Sequence, residues 1–337
     1  MSLREENKQM SFYIPNLEEL VPADHKYRRI LKIVDFEKLT AGLKVTYSSN
    51  GRGGYPVTTA FKCLLLQFMK DLSDRELEEY LMENNAGKLF CGFELMDKTP
   101  DHTYFCKIRS RFGIARLTEL FNKFQVALKD QKLIREVFTF ADASELRSRV
   151  DHWKARDLAL EDNTNDETDD KGSPTMNNNN VSKYSSDPEA RFGAKGKNKI
   201  WLGYKRHISV DMSNGLINKV DVTAANVSDG AGLKNICPSG GMVFADKAYC
   251  IEKAQEILRA NNCHSGAIKK NNMKDKDHAK DNWISAMRMP FEGVFSKMSK
   301  ECRYRGRDKT LFQATMQAIA FNLKRLLVIE AEPISIF

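Results

Sequence analysis

The sequence has no C-x-x-C pair. Its seven cysteines (Cys63, Cys91, Cys106, Cys237, Cys250, Cys263 and Cys302) are scattered and odd in number. That excludes a disulfide framework and a zinc knuckle, and fits a reducing compartment. MSLREENKQM is charged and lacks an apolar core, so a secretory leader is not expected. No uninterrupted apolar run could cross a bilayer: the longest stretch, AIAFNLKRLLVI, is broken by Asn322, Lys324 and Arg325. No structural unit recurs along the chain. These absences predict a cytoplasmic protein without a membrane partner.

What is present is 337 residues with 42% hydrophobic content, enough for a sizeable core and for two domains. A net charge of +8 and a sequence pI near 9.0 suit an anionic partner without proving one.

Residues 1–135 read as a helical N-terminal domain. VTTAFKCLLLQFMKDL has apolar residues at helical spacing and a threonine cap. Ser73 and Glu76 form a capping box for the next helix. Asp101 caps a third, which Gly113 ends, and RLTELFNKFQVALKDQKL gives a fourth. Two readings stay open. The helices are either a helix-turn-helix with Lys107, Arg109 and Arg111 turned to phosphate or bases, or a small bundle with a solvated basic face.

From residue 136 to about 330 the texture is that of an α/β domain. EVFTFAD reads as a short strand, and IWLGYKRHISVDMSNGLINKVDVTAA as two strands joined through Ser213, Asn214 and Gly215. GMVFAD and HSGAIKK follow as strands, with helices between and after them. A mixed sheet with helices on its faces is expected. The polar stretch at about 155–195 cannot bury enough apolar area to order itself, and reads as a flexible insertion.

Two of the strands end on an acid: FTFAD on Asp142 and MVFAD on Asp246. Either carboxylate alone reads more simply as a turn or helix cap. If the strands are neighbours, both emerge at one edge. Glu292 lies in a helical stretch with Arg288 four residues before it and Lys300 eight after, all on one face. That pattern fits a surface ion-pair ladder, or a metal ligand beside cations that hold a polyanion. Three converging carboxylates would suit two Mg²⁺ or Mn²⁺ ions, which could activate a water or a 3′-hydroxyl at a phosphodiester. Lys205, Arg206 and His207 lie on a strand whose alternate residues face either DNA or solvent. His207 alone is no sign of catalysis.

The ordered series DPEARFGAKGKNKIWLGYKRHISVDMSNG, VFADKAY and FEGVFSKMSKECRYRGRDKTLFQATMQAIAFNLKRL, preceded by the helical half, resembles bacterial insertion-sequence DDE transposases. The branch it resembles carries a Tyr-Arg-Glu-Lys motif. The resemblance implies a ribonuclease-H-like mixed sheet flanked by helices, preceded by an all-α domain for DNA-end binding and dimerisation. It implies that Asp142, Asp246 and Glu292 are the metal-binding triad, that Arg288 is the motif Arg, and that Lys300 holds a phosphate. It also implies double-stranded DNA ends and target as substrates, and a homodimer on DNA. Two positions depart from the motif: Ser285 stands where Tyr is expected and Ser299 where Lys is, with Lys300 adjacent. A junction resolvase with the same core, a DNA-binding relative that has lost catalysis, and a purely structural helical bundle are the alternatives.

Overall fold

The computed structural model describes residues 16–46, 54–150, 178–195, 199–270, 273, 276–334 and 336. The first half is helical, and local signals set its boundaries. Helix α1 (Leu17–Leu20) is capped by Asn16, α2 (Lys26–Ile33) follows, and α3 (Phe36–Thr40) is capped by Asp35. Helix α4 (Val57–Lys70) is buried along nearly its whole length and stops at Asp71, whose left-handed φ of 58° ends the hydrogen-bond ladder. The expected threonine cap is absent. Pro56 precedes the first turn without a capping bond, and the Thr58 hydroxyl instead lies 2.9 Å from that of Thr40.

Helix α5 (Asp74–Glu83) carries the reciprocal Ser73–Glu76 capping box. Helix α6 (Asn85–Cys91) leads into α7 (His102–Asp130), which Asp101 caps. Gly113, at φ 65°, breaks α7 at the point where the sequence predicts one helix to give way to another.

The second half is built on one six-stranded mixed sheet. β1 (Phe138–Arg147) lies between β3 (Lys199–Asp211), antiparallel to it, and β5 (Gly241–Ala245), parallel to it. β4 (Leu216–Ala224) pairs antiparallel with β3 through the expected turn, where Gly215 takes a φ of 68°. β6 (Cys263–Ala267) extends the parallel side beyond β5. Helices α9 (Asp229–Ile236) and α10 (Glu252–Ala260) pack on one face. Helix α11 (His278–Glu292) lies beside β5, and α12 (Arg307–Val328) spans the sheet's other face.

Part of the supposed flexible insertion is ordered. Residues 178–195 form α8 (Asn178–Tyr184) and β2 (Arg191–Lys195), which pairs with the start of β3. Val181 and Phe192 bury themselves with Leu202 and Tyr204, and the buried Asp187 carboxylate accepts from Ser148, Tyr204 and the Gly306 amide. The remainder, residues 155–177, lies outside the described residues.

The largest core runs through both halves. It joins Phe61 and Leu65 of α4, Phe105 and Phe124 of α7, Phe140 of β1, Ile208 of β3 and Leu323 of α12. The N-terminal helices therefore share their packing with the sheet through α12, which touches α4, α7 and β4. No helix among the described residues is long and apolar enough to cross a membrane.

Candidate active site

The pairing of β1 with β5 runs Phe138 to Met242, Thr139 to Val243 and Phe140 to Phe244. That constant offset of 104 carries Asp142 to the level of Asp246 on the neighbouring parallel strand. The reason is repetition: FTFA and MVFA are strand segments of the same length and pattern, each followed by Asp. Asp246 leaves β5 as the expected strand end and caps a short turn (Lys247–Tyr249) by accepting from the Lys247 amide at 2.6 Å. Asp142 does not end its strand. β1 continues to Arg147 because β3 keeps pairing with it after β5 has turned away.

Side chains alternate along β1. Phe140 enters the large core and Ala141 the opposite layer, so Asp142 shares the face of Phe140 and Ser144. Its carboxylate accepts a hydrogen bond from the Ala143 amide at 2.8 Å. Burial pushes its pKa up to about 6, although that amide and the Arg288 guanidinium pull the other way.

Arg288 projects from α11 into this space and is buried. Its guanidinium stands 3.8 Å from Asp246 Oδ1, 3.7 Å from Glu292 Oε1 and 5.7 Å from the centre of the Phe140 ring. One cation thus ties the second strand to the helix end. Tyr249, buried at the end of the turn after Asp246, has a hydroxyl with no hydrogen-bond partner among the described residues. Burial, and then the Asp142 carboxylate, push its pKa upward. Nothing in the sequence pattern assigns this tyrosine a role, although it lies within VFADKAY.

Lys300 falls elsewhere. The helix expected to carry it stops at Glu292: Pro290 removes an amide donor, and the chain turns at Gly293. The Lys300 carbonyl accepts from the Arg147 amide, five residues beyond Asp142 on β1 and so about 16 Å along the strand. Ser285 is exposed, and the Ser299 carbonyl accepts from Arg206.

Several other basic residues are engaged inside the protein. Arg109 makes a two-pronged pair with Asp74 and stacks over Tyr304. Lys205 donates to Asp229 at 2.8 Å and to the Val227 carbonyl. Arg206 is fully buried; it donates to Gln317 at 2.7 Å and to the Ser144 hydroxyl at 3.1 Å, above the Phe295 ring. Burial lowers its pKa to about 10, so it stays charged near neutrality. His207 is buried against Thr223, and burial lowers its pKa to about 4, which leaves it neutral. Lys107 and Arg111 face solvent on α7.

The three carboxylates offer only hard oxygen donors, the chemistry of a divalent-cation site. Asp246 and Glu292 gather around Arg288, and no group of three His, Cys, Asp or Glu side chains among the described residues is close enough to share an ion. Glu292 and Asp246 are half-exposed and can rotate, and both Arg288 contacts are longer than a close ion pair.

A mixed sheet in this order, with acids level on its two central parallel strands, defines the ribonuclease-H-like class. The family comparison agrees: the model described as Transposase DDE domain matches residues 154–323, and that described as Transposase domain (DUF772) matches residues 15–111. The chain belongs to the DDE transposase family, and its function is that of a DNA transposase. Asp246, Arg288 and Glu292 fall inside the first match, which begins after β1 and Asp142. Among solved structures, it is similar to a piggyBac transposase synaptic complex with hairpin DNA, at 9% identity and a TM-score of 0.36, over 92% of this chain and 76% of that one. It is also similar to a Mos1 transposase paired-end complex with left transposon end, at 8% identity and 0.18, over 85% and 83%.

Proposed function

We propose that the protein cuts double-stranded DNA at the ends of an insertion element and transfers the freed 3′-hydroxyl to target DNA. Water attacks the phosphodiester and the bond to the 3′-oxygen breaks; the released hydroxyl then attacks a phosphodiester of the target. Asp142, Asp246 and Glu292 would hold two Mg²⁺ or Mn²⁺ ions. When bound, such ions supply Lewis-acid activation of the attacking oxygen and charge neutralisation at the leaving one. Arg288 positions Asp246 and Glu292 and offsets their charge, and the unpartnered Tyr249 hydroxyl, near enough to Asp142 to feel its charge, would donate to a water between them. Lys300 contacts DNA away from the reacting phosphate. The helices of residues 1–135, with Lys107 and Arg111 outward, recognise the ends, and two copies act together on DNA.

The observation that carries this reading is the β1–β5 register, which sets Asp142 beside Asp246. The test is cleavage of labelled duplex carrying the gene's own flanking ends, with Mg²⁺ or Mn²⁺, by wild type and Asp246→Asn. Metal-dependent cutting at the ends by wild type alone is expected. Equal cutting by both would remove Asp246 from the site, and end-specific binding without cutting by either would mark a catalytically dead relative. Cutting of branched junctions without strand transfer would mark a resolvase.

A further inference from the structure

A second feature lies away from the carboxylates, where α2, α4 and α12 meet. A solvent-open groove of about 470 Å³ runs between the end of α4 and the second half of α12. Lys70, Lys297, Lys324 and Arg325 line it, and Asp71 is the one acid among its lining residues. Arg303 already engages Asp71, so that carboxylate is committed elsewhere.

Lys26 joins the cluster from α2. The Tyr27 and Tyr80 hydroxyls lie 3.4 Å apart, with Lys26 Nζ 5.4 Å above one ring and Lys70 Nζ 5.4 Å above the other. Lys297 Nζ stands 6.0 Å from the centre of the Phe321 ring. None of Lys26, Lys70, Lys297 and Lys324 has an acidic partner within ion-pair distance among the described residues. Lys70 and Lys324 feel the neighbouring cations. Burial and then Lys26 and Lys70 lower the pKa of Lys324, and burial and then Lys26 lower that of Lys70. Like charges held together without an anion are unfavourable in the free protein, and a polyanion removes that cost.

A hydrogen-bond chain through buried Arg206 joins the groove wall to β1. Ser299 and Gln317 lie on that wall, and both accept from Arg206, which donates to Ser144, two residues beyond Asp142 on the same face of β1. We propose that the groove between α4 and α12 binds the phosphodiester backbone of duplex DNA, with Lys70, Lys297 and Lys324, and Lys26 beside them on α2, as the phosphate contacts. The occupant rests on the transposase reading. The groove is a contact surface, distinct from the reacting centre, and reads backbone rather than base sequence.

The test is binding of a fluorescently labelled duplex, carrying the gene's flanking ends, in EDTA across a salt series, so that no cutting is needed. Lys70→Ala/Lys324→Ala is compared with Lys234→Ala/Lys253→Ala, which removes the same charge from exposed positions on α9 and α10. Each lost phosphate contact lowers the slope of log K against log salt by about 0.9, so the groove variant is expected to lose about 2 and the control none. Equal slopes in the two variants overturn the proposal. If the double variant does not fold, Lys324→Gln alone is read for a loss of about 1, and an unchanged slope overturns the proposal equally. The cleavage assay separates the two readings. End cutting by wild type with an unchanged groove slope removes the groove alone; a groove-dependent slope without cutting removes catalysis and leaves the groove.

Discussion

Asp142→Asn tests whether the site is built for charge that the free protein lacks. The carboxyl pKa rises from an ordinary 3.8 to about 6, chiefly through burial. A group with a raised folded pKa contributes stability that is fully present below its unfolded value and lost as pH climbs through the folded one. The window here is therefore 3.8 to about 6. Above it, the ionised carboxylate costs the fold about 3 kcal/mol, since each pH unit between the unfolded and folded pKa is worth about 1.4 kcal/mol. Asparagine keeps the shape and removes the charge, so near neutral pH the variant is expected to be more stable by about 1–3 kcal/mol, and inactive in cleavage. Below about pH 4 the wild-type carboxyl is protonated in both states and the gain vanishes. Urea unfolding of both proteins at the two pH values, without divalent metal, measures the difference. Millimolar Mg²⁺ should then raise the midpoint of wild type and leave that of the variant unmoved. Destabilisation near neutrality, or a gain independent of pH, would show that Asp142 is not a buried charge waiting for a partner.

Arg288→Met removes the cation between Asp246 and Glu292. Because both carboxylates are half-exposed, stability should change by no more than about 1 kcal/mol, while end cleavage falls roughly a hundredfold; retained cleavage would make the pair ornamental. His207 has its pKa lowered to about 4, so stability is full above 6.5 and lost as pH falls through about 4. NMR titration should find its ring neutral above about pH 5, and a midpoint near 6.5 would refute its burial. Gly203 holds a φ of 149°, and a Cβ there would sit 2.1 Å from the Leu146 carbonyl oxygen. Gly203→Ala should therefore cost about 2 kcal/mol or more by forcing β1 and β3 apart; an unchanged urea midpoint would mean the strands can spread freely.

Signals confined to a few neighbouring residues are legible in the sequence alone. The Ser73–Glu76 box, the Asp101 cap and the Ser213–Gly215 turn depend on neighbours along the chain, and the FTFAD/MVFAD repetition already contains the 104-residue offset. Long-range packing is not legible in that way. Val181 and Phe192 are too diluted by Asn, Ser and Asp to announce α8 and β2, yet two buried apolar residues and Asp187 suffice to order that stretch. Arg109 and Arg206 look like DNA-facing cations until Asp74 and Gln317, distant in sequence, engage them. Helical spacing misplaces Lys300 because it cannot be extended through Pro290 and Gly293. Lys26, Lys70 and Lys324 come from three helices spread over nearly three hundred residues, so no local pattern joins them.

Unsatisfied groups mark the difference between scaffold and site. The described N-terminal helices mostly begin with a side chain that accepts a backbone amide, as a stable scaffold requires. Around Asp142 the situation is reversed: a half-buried carboxylate with a raised pKa, the Tyr249 hydroxyl without a partner, and the buried Arg288 Nε likewise unpaired. A buried polar group left without a partner costs on the order of 1–3 kcal/mol, and Asp142, Arg288 and Tyr249 lie near enough to act on one another electrostatically. The lysine groove repeats the pattern with the opposite sign, since its cations lack the anions that would relieve them. On the transposase reading, the carboxylates that share Arg288 and the separate lysines that lack anions would both be relieved by one kind of ligand, a phosphate backbone that brings divalent metal with it.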